Sequence, residues 1–196
     1  MRSSASEPTR LIFHGSPKSG LEDIRGRPLG TYEPGAADLW QDFLGPHFAA
    51  DPRVALNVPR AKFVYPRVLT GKSYTLPPYE GYVPSSEEGD IAAFEEDMVR
   101  KLRNRNPELY TRVSDQLEKG DPVGRYLLDE ILNNYRQALG EKGYGAVKYT
   151  NTNFDETFGA RSPTSFAIID PSRLRKVGAP IPRGALSYLQ EEDPWR

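Results

Sequence analysis

The chain has two histidines, His14 and His47, and no cysteine. Those counts bound its chemistry. Without thiols there is no disulfide framework, no thiol nucleophile and no thiolate zinc site, and two imidazoles cannot build a His-rich metal centre. A Ser-His-Asp triad would have to use His14 or His47, and no serine context, Gly15-Ser16-Pro17 included, has the form of a nucleophile elbow. Gly140, Gly143 and Gly145 have the wrong order of spacing for a dinucleotide fingerprint, and a strand rather than a helix is expected after the third. Gly71-Lys72-Ser73 looks like the end of a phosphate-binding loop, but Pro66 stands where the first glycine belongs.

What remains is a set of short motifs in a fixed order. His14-Gly15-Ser16 closes the apolar run Leu11-Ile12-Phe13. Gly45-Pro46-His47-Phe48 follows and leads into Asp51-Pro52-Arg53. Far downstream, Lys142-Gly143-Tyr144-Gly145 precedes Tyr149-Thr150-Asn151 and a polar loop bearing Asp155-Glu156. Ser165-Phe166-Ala167-Ile168-Ile169 then runs into Asp170-Pro171-Ser172. Taken together these residues resemble the ADP-ribosyltransferases, in the branch shared by diphtheria-type toxins, poly(ADP-ribose) polymerases and many bacterial and phage effectors. Members carry a strand with His-Gly, a Gly-x-Tyr-Phe segment before a short helix and a Gly-Tyr-Asp-Gly-like turn. A strand with Tyr-x-Asn, a catalytic glutamate and a last strand ending in Asp-Pro-Ser follow. The resemblance spans about residues 10–176, and residues 71–122 match nothing in the family pattern.

The resemblance implies an α+β fold with a split, mostly antiparallel β core clasping NAD. It implies a mono-ADP-ribosyltransferase that breaks the nicotinamide–ribose bond of NAD, a consumed cosubstrate, and passes ADP-ribose to a macromolecule without a metal. By the same resemblance Glu156 is the catalytic carboxylate, His14 bonds the adenosine-side ribose, and the Gly15 backbone pairs with the nicotinamide carboxamide. Ser16, His47, Phe48, Tyr149 and Asn151 complete the implied NAD contacts. The chemistry fits the residue types. Cleavage builds an oxocarbenium-like ribose, and a fixed carboxylate favours that state over ground-state NAD. An effector or toxin role follows from the resemblance, as does an immunity or regulatory partner. The near-neutral chain favours a protein acceptor and leaves a nucleic acid open.

Each residue also has a plainer reading. His14 can be a half-buried histidine satisfied by a neighbour, Asn151 a turn former bonding its own backbone, and Tyr74, Tyr79 and Tyr82 packing under a loop rather than lining an acceptor site. Asp155 replaces Glu156 if the register slips by one; the family's use of glutamate favours Glu156. The chain departs from the family at two stacking positions. His47 replaces a tyrosine, and the second tyrosine, expected near Val58, is absent. Strand alternation puts His47 and Phe48 on opposite faces, so a core-facing Phe48 aims His47 at the nicotinamide. A neutral imidazole stacks on a pyridinium but with less area than tyrosine. These departures raise a second hypothesis, an inactive binding module of the same fold, beside a close variant that hydrolyses NAD.

The elements that must position these groups follow from pattern. At 196 residues the chain suits one domain, with 26 basic against 27 acidic residues and a net charge of −1. Eighteen prolines, where ~5% of residues is usual, promise many element boundaries. Strands are expected at Leu11–Phe13, Leu44–Phe48, Lys62–Leu69 (on an edge or bulged, because of Pro66), Ala146–Thr150 and Ser165–Ile169. Helices are expected from Pro52 to about Asn57, from Ile91 behind an Asp90 cap to about Arg103, over Glu108–Glu118, and from about Val123 to Lys142. Leu127, Leu128, Ile131, Leu132, Tyr135 and Leu139 form the core stripe of the last. Residues 71–89 read as loop, 1–9 as a frayed start, 10–177 as one domain with a helical insertion at about 90–142, and 178–196 as an extended tail. No apolar stretch has signal-peptide or membrane-span character, so the expectation is a soluble protein. It would be cytoplasmic, or delivered into a target cell's cytoplasm without a classical signal peptide, with no membrane partner.

Overall fold

The apolar runs at Leu11-Ile12-Phe13 and around Val64, Val147 and Ala167 call for a sheet covered on both faces. The chain builds one. A computed structural model describes residues 9–24, 45–56, 58, 60–81, 86–119, 125–150 and 164–186. The strands are β1 (Thr9–Ser16), β2 (His47–Ala49), β3 (Phe63–Thr70), β4 (Lys72–Thr75), β5 (Tyr144–Thr150), β6 (Thr164–Ile168), β7 (Leu174–Lys176) and β8 (Ile181–Pro182). They form a single hydrogen-bonded sheet in the order β4-β5-β6-β2-β1-β3-β7, with β8 also on β3. Every pairing is antiparallel except the parallel β4–β5 pair. With α1 (Pro52–Leu56), α2 (Ser86–Arg105), α3 (Pro107–Glu118) and α4 (Arg125–Gly140), this is a mixed α and β fold on a mostly antiparallel sheet.

The two faces are filled differently. On one, Phe94 and Met98 of α2 and Leu132, Tyr135 and Leu139 of α4 cover Val147, Tyr149 and Ala167. On the same face but over β1 and β3, Val54, Ala55 and Leu56 of α1 pack with Ala49, Val64 and Leu186. The opposite face joins Ile12, Phe48, Tyr65, Leu69, Phe166 and Ile168 under Ile24. The helix ends follow local chemistry. Asn106 Oδ1 accepts the Leu109 N–H at 3.1 Å ahead of Pro107, and Gly143, at φ +78°, sends its N–H to the Gly140 carbonyl after α4.

Four expectations are corrected. Residues 72–75, read as loop, form β4, because the flank of β5 otherwise has no strand and backbone groups in a buried sheet must be paired. Pro66 lies in an interior strand, neither at an edge nor in a bulge of the β1–β3 register. On the side of β3 away from β1, β8 pairs with Phe63–Val64 and β7 with Arg67–Leu69, so the proline falls in the gap between them. Helix α2 starts at Ser86, which puts Asp90 inside it rather than at its cap. Residues 181–186 are part of the body rather than a tail: Ile181 pairs with Val64, the Arg183 N–H bonds the Lys62 carbonyl at 2.8 Å, and Leu186 is buried.

A buried ion cluster fastens the helix layer to the sheet edge. The Asp97 carboxylate, 2% exposed, accepts the Tyr74 hydroxyl of β4 at 2.8 Å and the Tyr135 hydroxyl of α4 at 2.7 Å. Lys101 Nζ donates to both its oxygens at 2.6 and 2.5 Å, and Arg100 adds a further contact. The Lys101 ammonium also lies 4.0 Å from the Tyr74 ring centroid, a cation–π contact. Burial alone pushes the Asp97 carboxyl upward, but the donors from Lys101, Tyr135 and Arg100 outweigh it and hold its pKa below the ordinary range. A pKa lowered on folding gives stability that is present above the unfolded value, near ~4, and is lost as pH falls through the folded one. Asp97→Asn strands Lys101, and urea unfolding at pH 7 should show a loss of about 3 kcal/mol. The gap between wild type and variant should narrow below about pH 4. Equal stability at pH 7 would overturn this role.

Candidate functional site

Strand β1 pairs with β3 over its whole length, Thr9↔Thr70 to Ser16↔Phe63, but with β2 at one position, Phe13↔Ala49. Past that pair the residues His14, Gly15 and Ser16 have β3 on one flank and no Cα partner in β2 on the other. A side chain spans the gap instead: His14 Nδ1 lies 2.8 Å from the His47 carbonyl oxygen. A carbonyl only accepts, so Nδ1 carries the proton and Nε2 is the bare, accepting nitrogen. Burial holds the His14 pKa below its ordinary 6.5, against the pull of the His47 carbonyl and with help from the nearby His47 imidazole and Arg67 charge. His14 is therefore neutral at pH 7, and its ring packs on Phe48 at 5.3 Å.

Register fixes which way each residue looks. Phe13, Ala49, Ser165 and Tyr149 are cross-strand neighbours on one face, and His47, opposite Ala167, looks the same way. That face carries the helices, and His47 stands on β2 between the part covered by α1 and the part covered by α2 and α4. Its Nδ1 is 2.7 Å from the Tyr149 hydroxyl, with the rings in a T-shaped arrangement. Tyr149 is nearly buried and meets Phe94 edge-on at 5.1 Å. The His14 ring lies on the opposite face with Phe48. The two imidazoles are thus joined through one backbone carbonyl but point to different sides of the sheet.

The remaining candidates have definite places. Phe48, 2% exposed, is core and acts through His14 by seating its ring. The Ser16 Oγ accepts the Lys18 N–H at 3.2 Å and its carbonyl the Lys62 N–H at 2.9 Å, which shapes the turn out of β1. Gly15 is required by packing: a Cβ there would lie 1.8 Å from the Ala55 carbonyl oxygen of α1 and 3.2 Å from Val58 Cβ. Val58 therefore lies beside Gly15, partly exposed, where the resemblance calls for an aromatic ring. Asp170-Pro171-Ser172 has a local reason too, since Asp170 Oδ1 accepts the Ser172 N–H at 3.0 Å and opens a 3-10 turn. Asn151, Asp155 and Glu156 lie outside the described residues. The segment that holds them leaves β5 at Thr150 and enters β6 at Thr164, which are paired, and the Thr164 carbonyl accepts the Ala50 N–H beside β2.

Sequence reading missed Ser165 and Phe94. Ser165 is buried between Tyr149 and Ala49 on the His47 face. A polar residue directly ahead of the apolar run Phe166–Ile169 was the available signal. Phe94 falls within the helix expected from Ile91 to about Arg103, and only the packing of α2 shows that it backs Tyr149. A cavity of about 380 Å³, lined by Glu22, Asp23, Ile24, Arg67, Ser172 and Lys176, lies on the other face of the sheet from His47. Among the described residues no three His, Asp or Glu side chains gather as metal ligands would, and no helix is long and apolar enough to cross a membrane.

Two measurements probe this site. A histidine whose pKa falls on folding contributes stability that is complete above 6.5 and declines as pH drops toward the lowered value. The wild-type melting temperature should fall between pH 6.5 and 5 more steeply than that of His14→Gln; parallel curves would exclude the neutral, buried His14. Gly15→Ala forces β1 and α1 apart and should cost about 1–3 kcal/mol in chemical denaturation, the range of overpacked cores. An unchanged midpoint would mean that the two are not in contact.

No family model matches the chain, and neither a curated protein nor a solved structure proves similar to it.

Proposed function

We propose that this chain is a mono-ADP-ribosyltransferase that breaks the nicotinamide–ribose bond of NAD and transfers ADP-ribose to a protein side chain. One observation carries the reading: β1 loses its β2 partner at His14-Gly15, in the middle of a sheet, between two separately packed helical covers. A strand flank without a partner strand among the described residues suits a primary carboxamide, whose oxygen accepts and whose NH₂ donates as a neighbouring strand would. His47 and Val58 stand on the same side as Gly15 and give an imidazole and an apolar wall for a flat pyridinium. His14, on the opposite face, offers a bare Nε2 to a ribose hydroxyl. An extended dinucleotide can meet both, with nicotinamide at His47 and the adenosine half toward His14.

The reading gives the remaining step to Glu156. Departure of neutral nicotinamide leaves positive charge on the ribose, and a carboxylate held there lowers the barrier by binding that charge more strongly than it binds NAD. One preorganised contact of this kind is worth about 3–4 kcal/mol, or 10²–10³ in rate. The net charge of −1 gives no broad basic field for nucleic acid, which favours a protein acceptor. In this reading the chain acts as an effector, the sheet is the family's split core and the helices between β4 and β5 are an insertion that selects the acceptor. A second reading, a module that binds without turnover, is favoured by Val58 at the aromatic position.

Purified protein incubated with NAD and host lysate should release nicotinamide and label acceptor proteins with ADP-ribose, and Glu156→Ala should cut both by 10²–10³ with its melting temperature unchanged. Release of nicotinamide without labelling would identify a NAD hydrolase. No release at high enzyme concentration would overturn the enzyme reading in favour of the module. Full activity in Glu156→Ala would move the carboxylate role elsewhere.

A further inference from the structure

Arg67 is a charged side chain in a place that charges avoid. It is 4% exposed and stands in the ladder between Ile12 of β1 and Lys176 of β7, on the face of the sheet opposite the helices. Its Nη1 donates to the Pro66 carbonyl at 2.9 Å, while Nη2 reaches the Leu21 and Glu22 carbonyls only at 3.4 Å. Those are its side-chain hydrogen bonds among the described residues, and no carboxylate of theirs lies within ion-pair distance. Burial draws its pKa downward against the pull of Glu22, Tyr65 and Asp23, yet a guanidinium stays charged. The fork of N–H donors is thus only partly used. A buried cation ordinarily has an anion beside it.

The cavity of about 380 Å³ lies against this side chain. Small-molecule sites fall in the range of ~300–1,000 Å³. Ile24, Pro171 and Leu174 give it apolar wall, while Arg67 and Lys176 balance Glu22 and Asp23 in charge. Lys176 Nζ donates to Glu22 Oε2 at 2.8 Å, which leaves Oε1 for a second cation. The segment over Arg67 is fastened in place. The Tyr65 hydroxyl donates to the Lys18 carbonyl at 2.7 Å and accepts the Leu21 N–H at 3.3 Å. The cavity is therefore shaped before any ligand arrives.

We propose that this cavity binds a free α-amino acid with an apolar side chain, its carboxylate on Arg67, its ammonium on Glu22 and its side chain against Ile24 and Leu174. A planar carboxylate matches the guanidinium fork. The Glu22 carbonyl lies 3.4 Å from Arg67 Nη2, so the two residues are close enough for opposite charges of one small molecule to meet both. An ammonium on the same molecule cancels the carboxylate, which suits a cavity whose own charges balance. Inorganic phosphate has no such compensation and would be repelled by Glu22 and Asp23. Cavity and His47 are on opposite faces of the sheet, so this assignment stands apart from the NAD reading.

Calorimetric titration of the full chain with L-leucine, L-methionine and L-phenylalanine tests it. At least one should bind saturably, and inorganic phosphate should not. The amide of that amino acid, which lacks the carboxylate, and its des-amino analogue, which lacks the ammonium, should each bind about tenfold more weakly. The Glu22 side chain is 77% exposed, so Glu22→Gln keeps the fold. It should weaken the amino acid about tenfold and leave the des-amino analogue unchanged. Arg67→Lys retains the charge without the fork and should weaken both, with circular dichroism unaltered; should it unfold, Glu22→Gln carries the test alone. Saturable binding by none of the amino acids, tighter binding of phosphate, or an amide or des-amino analogue as tight as the amino acid would each overturn the assignment.

Discussion

The middle of this sheet is joined by very little. β3 follows β1 along its full length and β6 follows β2 along its full length, yet β1 and β2 share one backbone pair, Phe13↔Ala49. The next link is the His14 imidazole on the His47 carbonyl. A carbonyl inside a protein must be satisfied, and here a side chain does what the next rung of the ladder would have done. That substitution opens the sheet without leaving an orphaned acceptor, and it fixes the His14 tautomer. The geometry of the site depends on it. The widening at Gly15, the two separate helical covers and the placing of His47 between them all follow from β1 and β2 parting at this point.

Rigidity around the seam comes from elsewhere. On one side α1 closes on β1 through a contact that only glycine at position 15 permits. On the other, α2 and α4 are locked to β4 through Asp97, whose carboxylate is buried with Lys101, Tyr74 and Tyr135 as its partners. Such a cluster adds less net stability than its contacts imply, because desolvation offsets much of the attraction. What it does supply is a unique placement of α2, and through Phe94 of Tyr149. The buried ions and the candidate site are thus linked by packing rather than by shared charge.

Most of the regular structure was legible in the sequence because it depends on periodicity and caps. The Leu127–Leu139 stripe, Gly143 after α4 and the apolar runs of β3, β5 and β6 are local signals with local causes. β4 was not legible. Lys72-Ser73-Tyr74-Thr75 is too short and too polar to announce a strand, and it exists because β5 has a flank to fill. Pro66 argued for an edge or a bulge, whereas the gap between β7 and β8 accommodates it in the interior. Ser86, Glu87 and Glu88 extend α2 by a turn that Gly89 and Asp90 disguise.

By itself the sequence determined the inventory: two imidazoles, no thiols, one glycine after the first histidine, and strands at both ends of a helical middle. Motif order also named the residues worth watching, His14, Gly15, His47 and Tyr149. Only the tertiary structure decided how they relate. Register across four strands put His47 with Tyr149 on the helical face and His14 with Phe48 on the other, and it replaced a backbone rung with an imidazole. Such relations are set by pairing between residues up to a hundred positions apart, which no local pattern encodes. The protonation state of His14 follows from burial, a property that a residue acquires only when the rest of the chain has closed around it.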